Sequence, residues 1–146
     1  MRFVAATVLL ALCASIAAPC LAAGTARVQE SNGSVRVYHD VAINIVHQTL
    51  RVTSADGKET FVINHAACAY AGVFEHCTPL RISLERGGTT RALDAAGGTI
   101  FINPTKHTQT LSNSSTQLPP HGISMTISTK NNTYITVNGQ IDGLVR

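Results

Sequence analysis

The stretch ISMTISTKNNTYITVNGQI, residues 123–141, alternates apolar and polar residues with period two. Ile123, Met125 and Ile127 fall on one side, with Ser124, Thr126 and Ser128 on the other. Lys130-Asn131-Asn132 has the composition of a turn. Beyond it Ile135, Val137, Gly139 and Ile141 alternate with Tyr134, Thr136, Asn138 and Gln140. Side chains of a strand point to opposite faces in succession, so this pattern predicts a β-hairpin with one apolar face. That face must be buried, because each isoleucine left in water would forfeit roughly 1.5–3 kcal/mol. The polar face carries almost no charge apart from Lys130. Free strand edges are usually blunted by charge or proline, and neither occurs within these two strands. The hairpin is therefore expected to lie inside a sheet or to pair with another chain, with the segment from Pro104 to Gly122 as its cover in a monomer.

Working outward, the same alternation recurs in shorter pieces. Leu80, Ile82 and Leu84 alternate with Arg81, Ser83 and Glu85, and Arg86-Gly87-Gly88-Thr89 turns the chain into Thr89 to Leu93. Phe61 and Ile63 form a strand on the far side of the turn Ser54-Ala55-Asp56-Gly57-Lys58, whose Asp-Gly pair tolerates positive φ. Val35 and Val37, then Val41, Ile43 and Ile45, are read as inward, with an interruption at His39-Asp40. Leu50 and Val52 are inward on the other parity. A bulge or bend near Val46-His47-Gln48 would account for the switch, since one extra residue reverses every later side chain. Such a bend lets one strand pass between two packed sheets. Thr99 to Asn103 reads as a strand buried on both faces, Ala95-Ala96-Gly97-Gly98 as a break, Gly24 to Asn32 as a polar frayed end, and Pro104 to Pro120 as irregular. The expected fold is all-β: one small β-sandwich or open barrel of about eight or nine short antiparallel strands, with one disulfide-closed loop.

The N-terminus is different in kind. Met1-Arg2 is followed by an apolar run from Val4 to Ala18, then Pro19 and the small residues Ala22-Ala23. This is the layout of a secretory signal peptide, too short to span a bilayer. Residues 1–23 are read as that leader and 24–146 as a single domain, periplasmic or secreted, with no membrane span in the mature chain. The chain has 146 residues, enough for one domain, with 11 Lys+Arg against 8 Asp+Glu. That balance is too weak, and the basic residues too scattered, to suggest nucleic acid. There is no tryptophan and the aromatic content is 5%, so no stacking platform for sugars or bases is evident. Sequons occur at Asn32, Asn113 and Asn131.

Cys68 and Cys77 are the only cysteines outside the leader. In an exported chain they are expected to pair. The loop CAYAGVFEHC that they close has ten residues, worth about 2.5–3 kcal/mol in the chain-entropy account. The bridge is read as a staple across two strand ends, with Tyr70 and Phe74 packed on the core. Its functional counterpart is a preorganised contact loop presenting Tyr70, Phe74 and His76. His65, Cys68, His76 and Cys77 also form a set of soft-metal donors, spaced H-x2-C-x7-H-C, for zinc or copper. That set needs reduced thiols, and consecutive strand residues such as His76 and Cys77 point apart. His65 shares parity with Phe61 and Ile63, as a histidine at the core edge would. His39, His47, His107 and His121 are dispersed, and no nucleophile elbow, metalloprotease helix or paired-carboxylate spacing occurs. The Gly-Gly pairs precede no helix and read as turns.

These features point to an exported, non-enzymatic binding or structural module of the cell envelope with a protein or other envelope partner, and no cofactor. The alternative is a small periplasmic metal-binding protein using His65 and His76 beside the Cys68–Cys77 loop. The mature chain should begin at Ala23 or Gly24; N-terminal sequencing of the exported protein checks this, and a retained Met1 in that fraction would contradict it.

Overall fold

The computed structural model describes residues 24–111 and 115–142. The leader read over 1–23 and the sequon at Asn113 lie outside them. Thirteen β-strands and no helix occur among the described residues, more strands than the eight or nine expected. The difference comes chiefly from short strands inside segments that read as loops.

The C-terminal hairpin is as expected. β12 (Gly122–Thr129) pairs with β13 (Tyr134–Gln140), placing Ile127 opposite Ile135 and Met125 opposite Val137. All four are at most 1% exposed. Neither strand is an edge: β12 also pairs with β9 (Ala95–Ile102), and β13 with β1 (Gly24–Gln29). The first residues of the supposedly frayed segment are thus a central strand. Ala26 and Val28 of β1 are inward and buried, while Thr25 and Arg27 face outward.

The remaining strands are β2 (Val35–Val46), β3 (Thr49–Thr53), β4 (Glu59–His65), β5 (Ala69–Ala71), β6 (Phe74–Cys77), β7 (Pro79–Arg86), β8 (Thr89–Leu93), β10 (Gln109–Thr110) and β11 (Gln117–Leu118). Eleven of the thirteen form one antiparallel sheet in the order β5-β6-β9-β12-β13-β1-β2-β3-β4-β7-β8, and β10 pairs with β11. Only Thr78 separates β6 from β7, and only Asp94 separates β8 from β9. Yet β6 and β7, like β8 and β9, stand near opposite ends of the strand order. Single-residue connections can join those ends only if the sheet is folded over on itself. The apolar faces of both halves accordingly form one core, including Val28, Ile100, Ile127 and Ile135 from one and Leu50, Val52, Ile63 and Ile82 from the other.

On the hydrogen-bonded side, β2 joins the halves. Its first part pairs with β1 and its second with β3. The register slips so that Gly24 faces Val41 while Ala26 faces Tyr38. That is a bulge of one extra residue on β2, with Asp40 at φ 56°. The bulge reverses parity, so Tyr38 packs toward the core, its ring edge-on to Phe61 at 5.8 Å. Val35 and Val37, expected inward, face outward at 43% and 48% exposed. The second switch, placed at Val46-His47-Gln48, is a two-residue hairpin turn with His47 at φ 55° and Val46 opposite Thr49. Asp and His are among the non-glycine residues that tolerate this conformation, so both features form without glycine.

Two segments read as structureless are ordered by specific contacts. The Ala95–Gly98 break is the start of β9. A Cβ on Gly98 would lie 2.9 Å from the Ile127 Cα and 3.2 Å from the Pro79 Cγ, so only glycine fits between β12 and β7. The irregular stretch after β9 is gathered by Asn103, which is fully buried. Its Nδ2 donates toward the carbonyls of His107 at 2.8 Å, Pro119 at 2.9 Å and Leu118 at 3.2 Å. Its Oδ1 accepts from the Thr105 amide at 3.0 Å and hydroxyl at 2.7 Å.

Gly98→Ala should lower unfolding free energy by about 1–3 kcal/mol through overpacking. Gly97→Ala, whose Cβ would meet only Ser128 Oγ at 3.9 Å, should stay within about 0.5 kcal/mol of the parent. Urea unfolding of the two variants checks this, and equal losses would contradict the packing account.

Candidate functional site

The cystine-closed segment is a β-hairpin rather than a loop. Ala69, Tyr70 and Ala71 of β5 face His76, Glu75 and Phe74 of β6. Gly72, at φ 67°, opens the two-residue turn Gly72-Val73, the position where glycine suits the twist of a tight hairpin. One rung beyond Ala69 and His76, Cys68 and Cys77 are bonded, with Cα atoms 4.3 Å apart. The disulfide is therefore a staple across two strand ends. On its other side β6 pairs with β9, Glu75 facing Ile102, His76 facing Phe101 and Cys77 facing Ile100. β5 ends the strand order, and among the described residues no strand pairs with its outer edge.

Period two then sorts the side chains. Cys77 is fully buried, and Glu75, on the same face, is buried beside Ile102. Phe74 is also buried. His76 is turned the other way and stacks on Phe101, with ring centroids 4.7 Å apart and planes at 13°. Tyr70 was expected against the core with Phe74; instead it is 71% exposed, and Val73 at the tip is 46% exposed. The reason is position: β5 lies beyond the last strand that the core covers, and all three of its residues are exposed. Of Tyr70, Phe74 and His76, Tyr70 alone is fully open to a partner.

From the other half of the sheet, β4 ends at His65, which is 3% exposed. Its Nδ1 lies 2.8 Å from the Ala66 carbonyl oxygen and 3.7 Å from the Cys68 Sγ. Its Nε2 is buried without a hydrogen-bond partner among the described residues. The donor atoms of His65, Cys68 and Cys77 lie within 4.8 Å of one another. His76, the fourth donor of the expected set, is not in this group, because its neighbour Cys77 takes the inward face. His65, with His47, Thr49, Leu80 and Arg81, lines a surface pocket of about 470 Å³.

Among the described residues, Tyr38 and Asp56 have shifted acidities, and both sit at the opposite end of β4. Burial, and then the Glu59 carboxylate, push the Tyr38 phenol above its ordinary value. The Ser54 hydroxyl and then the Lys58 amide hold the Asp56 carboxyl below the ordinary aspartate value. Both belong to the turn after β3 and its surroundings, where Arg86 also pairs with Glu59.

The sequence reading missed Phe101 as the partner of His76 and Val73 as part of the exposed tip. The signal for Phe101 was its place at the centre of a strand, but its partner depends on which strand pairs with it. Comparison with protein-family models, curated proteins and solved structures finds no match.

Cys77→Ser should lower stability by about 2–5 kcal/mol under oxidising conditions, as for native bridges in small domains. Chemical unfolding with and without reductant measures it. An unchanged midpoint would mean that the hairpin is held without the staple.

Proposed function

We propose that this protein is an exported, non-enzymatic module that acts by binding a protein partner of the envelope through the disulfide-stapled hairpin. The observation that carries the reading is Tyr70, 71% exposed on an edge strand that is covalently clamped. Tyrosine is enriched among the residues that dominate interface energetics. A clamped strand loses little freedom on association, which favours affinity. The outer edge of β5 offers main-chain donors and acceptors to an added strand, with Tyr70 and Val73 as side-chain contacts. The partner surface that fits is an extended, uncharged segment of another protein. The edge AYA contains no charge or proline of the kind that discourages such pairing. At the other end of the sheet, β8 carries Arg91 at its centre.

Export is supported by the leader pattern and by the disulfide, which suits an oxidising compartment. Among the described residues no helix is long and apolar enough to cross a membrane.

A photo-crosslinking amino acid placed at Tyr70 in the source cells should give a discrete adduct with one partner. The same group at Thr90, on the opposite edge, should give none. Tyr70→Ser should keep the parent's unfolding midpoint while weakening that association at least about tenfold, the loss of one strong contact. No adduct at position 70, or equal adducts at both edges, would remove the reading.

A further inference from the structure

We propose that the rim of the sheet around the β8–β9 crossing is a docking surface for an anionic lipid bilayer. Arg81, Arg91 and Lys130 meet the lipid phosphates there, and Val46 and Leu80 enter the head-group layer. This goes beyond partner binding at the β5 edge, since it uses the ends of other strands.

The rim gathers cations that are far apart in the sequence. β8 passes through Asp94 into β9, and Lys130, just after β12, donates its N–H to the Asp94 carbonyl at 2.8 Å. That bond brings Lys130 from one half of the fold against β7 and β8 of the other. Lys130 lines a pocket of about 380 Å³ together with Arg81, and an adjoining one together with Arg91. All three cations are exposed. Elsewhere Arg36, Arg51 and Arg86 each pair with a glutamate. Among the described residues Arg81, Arg91 and Lys130 have no such partner. Asp94 is the only acidic residue lining either pocket. Three cations against one anion leave the rim positive and complementary to an anionic surface.

Two aliphatic side chains stand beside these cations. Antiparallel register sets Val46, Thr49, Asn64 and Arg81 in one row across β2, β3, β4 and β7. Residues directly opposite share a face, and neighbouring strands lie about 4.8 Å apart, so Val46 stands roughly 14 Å from Arg81. Leu80 alternates with Ile82 and Leu84 and by parity belongs to the core. The register slips, however, so that Asn64 faces Arg81 while His65 faces Pro79. Leu80 is the extra residue, and this bulge turns it out to solvent beside Arg81. Val46 is 63% and Leu80 59% exposed. Among the described residues they are the two most exposed large aliphatic side chains.

The aliphatic pair decides the kind of anion. An acidic protein strand or a nucleic acid is met by charge alone. Cations flanked by exposed aliphatics suit a lipid surface, where apolar side chains sink to the boundary of head groups and acyl chains. Basic residues then hold the anionic head groups. Arg81 and Arg91 add planar donor forks that match phosphate oxygens. Leu80 lines the same pocket as Arg81 and Lys130, so a head group seated there brings its acyl chains toward Leu80.

The test is flotation of the exported protein with vesicles of phosphatidylglycerol mixed with phosphatidylcholine, and with vesicles of phosphatidylcholine alone. The protein should float with the mixed vesicles and not with the neutral ones, and added salt should release it. Arg81→Glu and Lys130→Glu should each weaken binding at least about fivefold, the worth of one basic residue near an anionic surface. Leu80→Ser keeps the charge and should weaken binding about threefold or more. Lys106→Glu, beyond the far end of β9, makes the same charge change away from the rim and should bind within about twofold of the parent. All four alter exposed side chains, so their unfolding midpoints should match the parent's. Failure to float with the mixed vesicles, equal binding to neutral ones, or parent-like binding by Arg81→Glu or Leu80→Ser would each overturn the docking surface. So would an equal loss in Lys106→Glu, or tighter binding to soluble polyglutamate than to the mixed vesicles, which marks an acidic protein as the ligand.

Discussion

The core depends on β2 changing sides. One continuous backbone is hydrogen-bonded to β1 along its first part and to β3 along its second. The extra residue at His39-Asp40 is what makes this possible. Without it, Ala42 and Asn44 would turn inward and Ile43 would face water, which exposes apolar surface and buries an amide in exchange. With it, Val41 and Ile43 are buried. Ile43 then fills a slot left by two glycines: a Cβ on Gly24 would lie 2.7 Å from its Cδ1, and one on Gly139 2.9 Å. The corner is thus set by shape as well as by hydrogen bonding.

The opposite side of the fold is closed by two single-residue crossings, each pinned by a backbone bond. Ala66 donates its N–H to the Thr78 carbonyl at 2.8 Å, and Lys130 donates to the Asp94 carbonyl at 2.8 Å. The first crossing brings the end of β4 against the end of β6. This is why His65 of one half meets the cystine of the other. The staple, the histidine and the exposed hairpin are therefore consequences of one corner, with inward and outward roles divided by strand alternation.

Much of the sheet was legible because its hairpins combine alternation with proper turn residues, as at Asp56-Gly57, Gly87-Gly88 and Asn131-Asn132. Val35 and Val37 were misassigned because the bulge that reverses them contains no glycine and leaves little mark on composition. β1 was missed because its inward positions are glycine, alanine and a single valine, so that its order is imposed by β13 and β2 rather than by its own apolar content. Tyr70 was misplaced for another reason: periodicity tells which way a side chain points, but not where the sheet stops. The pairing of Cys68 with Cys77 and the inward parity of His65 were legible from residues alone. Their meeting was not, since it depends on a crossing between halves. Asn103 gave no signal beyond its type, because its role comes from carbonyls well beyond it in the chain.

The first and last described strands, β1 and β13, are neighbours, with Thr25 facing Asn138 and Val28 facing Ile135. A chain delivered N-terminus first, from a ribosome or through a pore, must therefore hold one flank of β1 open until its far end arrives. Pairings that span most of a chain form slowly, so the sheet closes in a late step. For that interval β1 is an edge on offer to any other unfinished chain. Its scant apolar content, with Ala26 and Val28 its only buried aliphatic side chains, keeps that waiting edge weakly adhesive. What makes β1 hard to see in the sequence also makes it safe to leave unpaired.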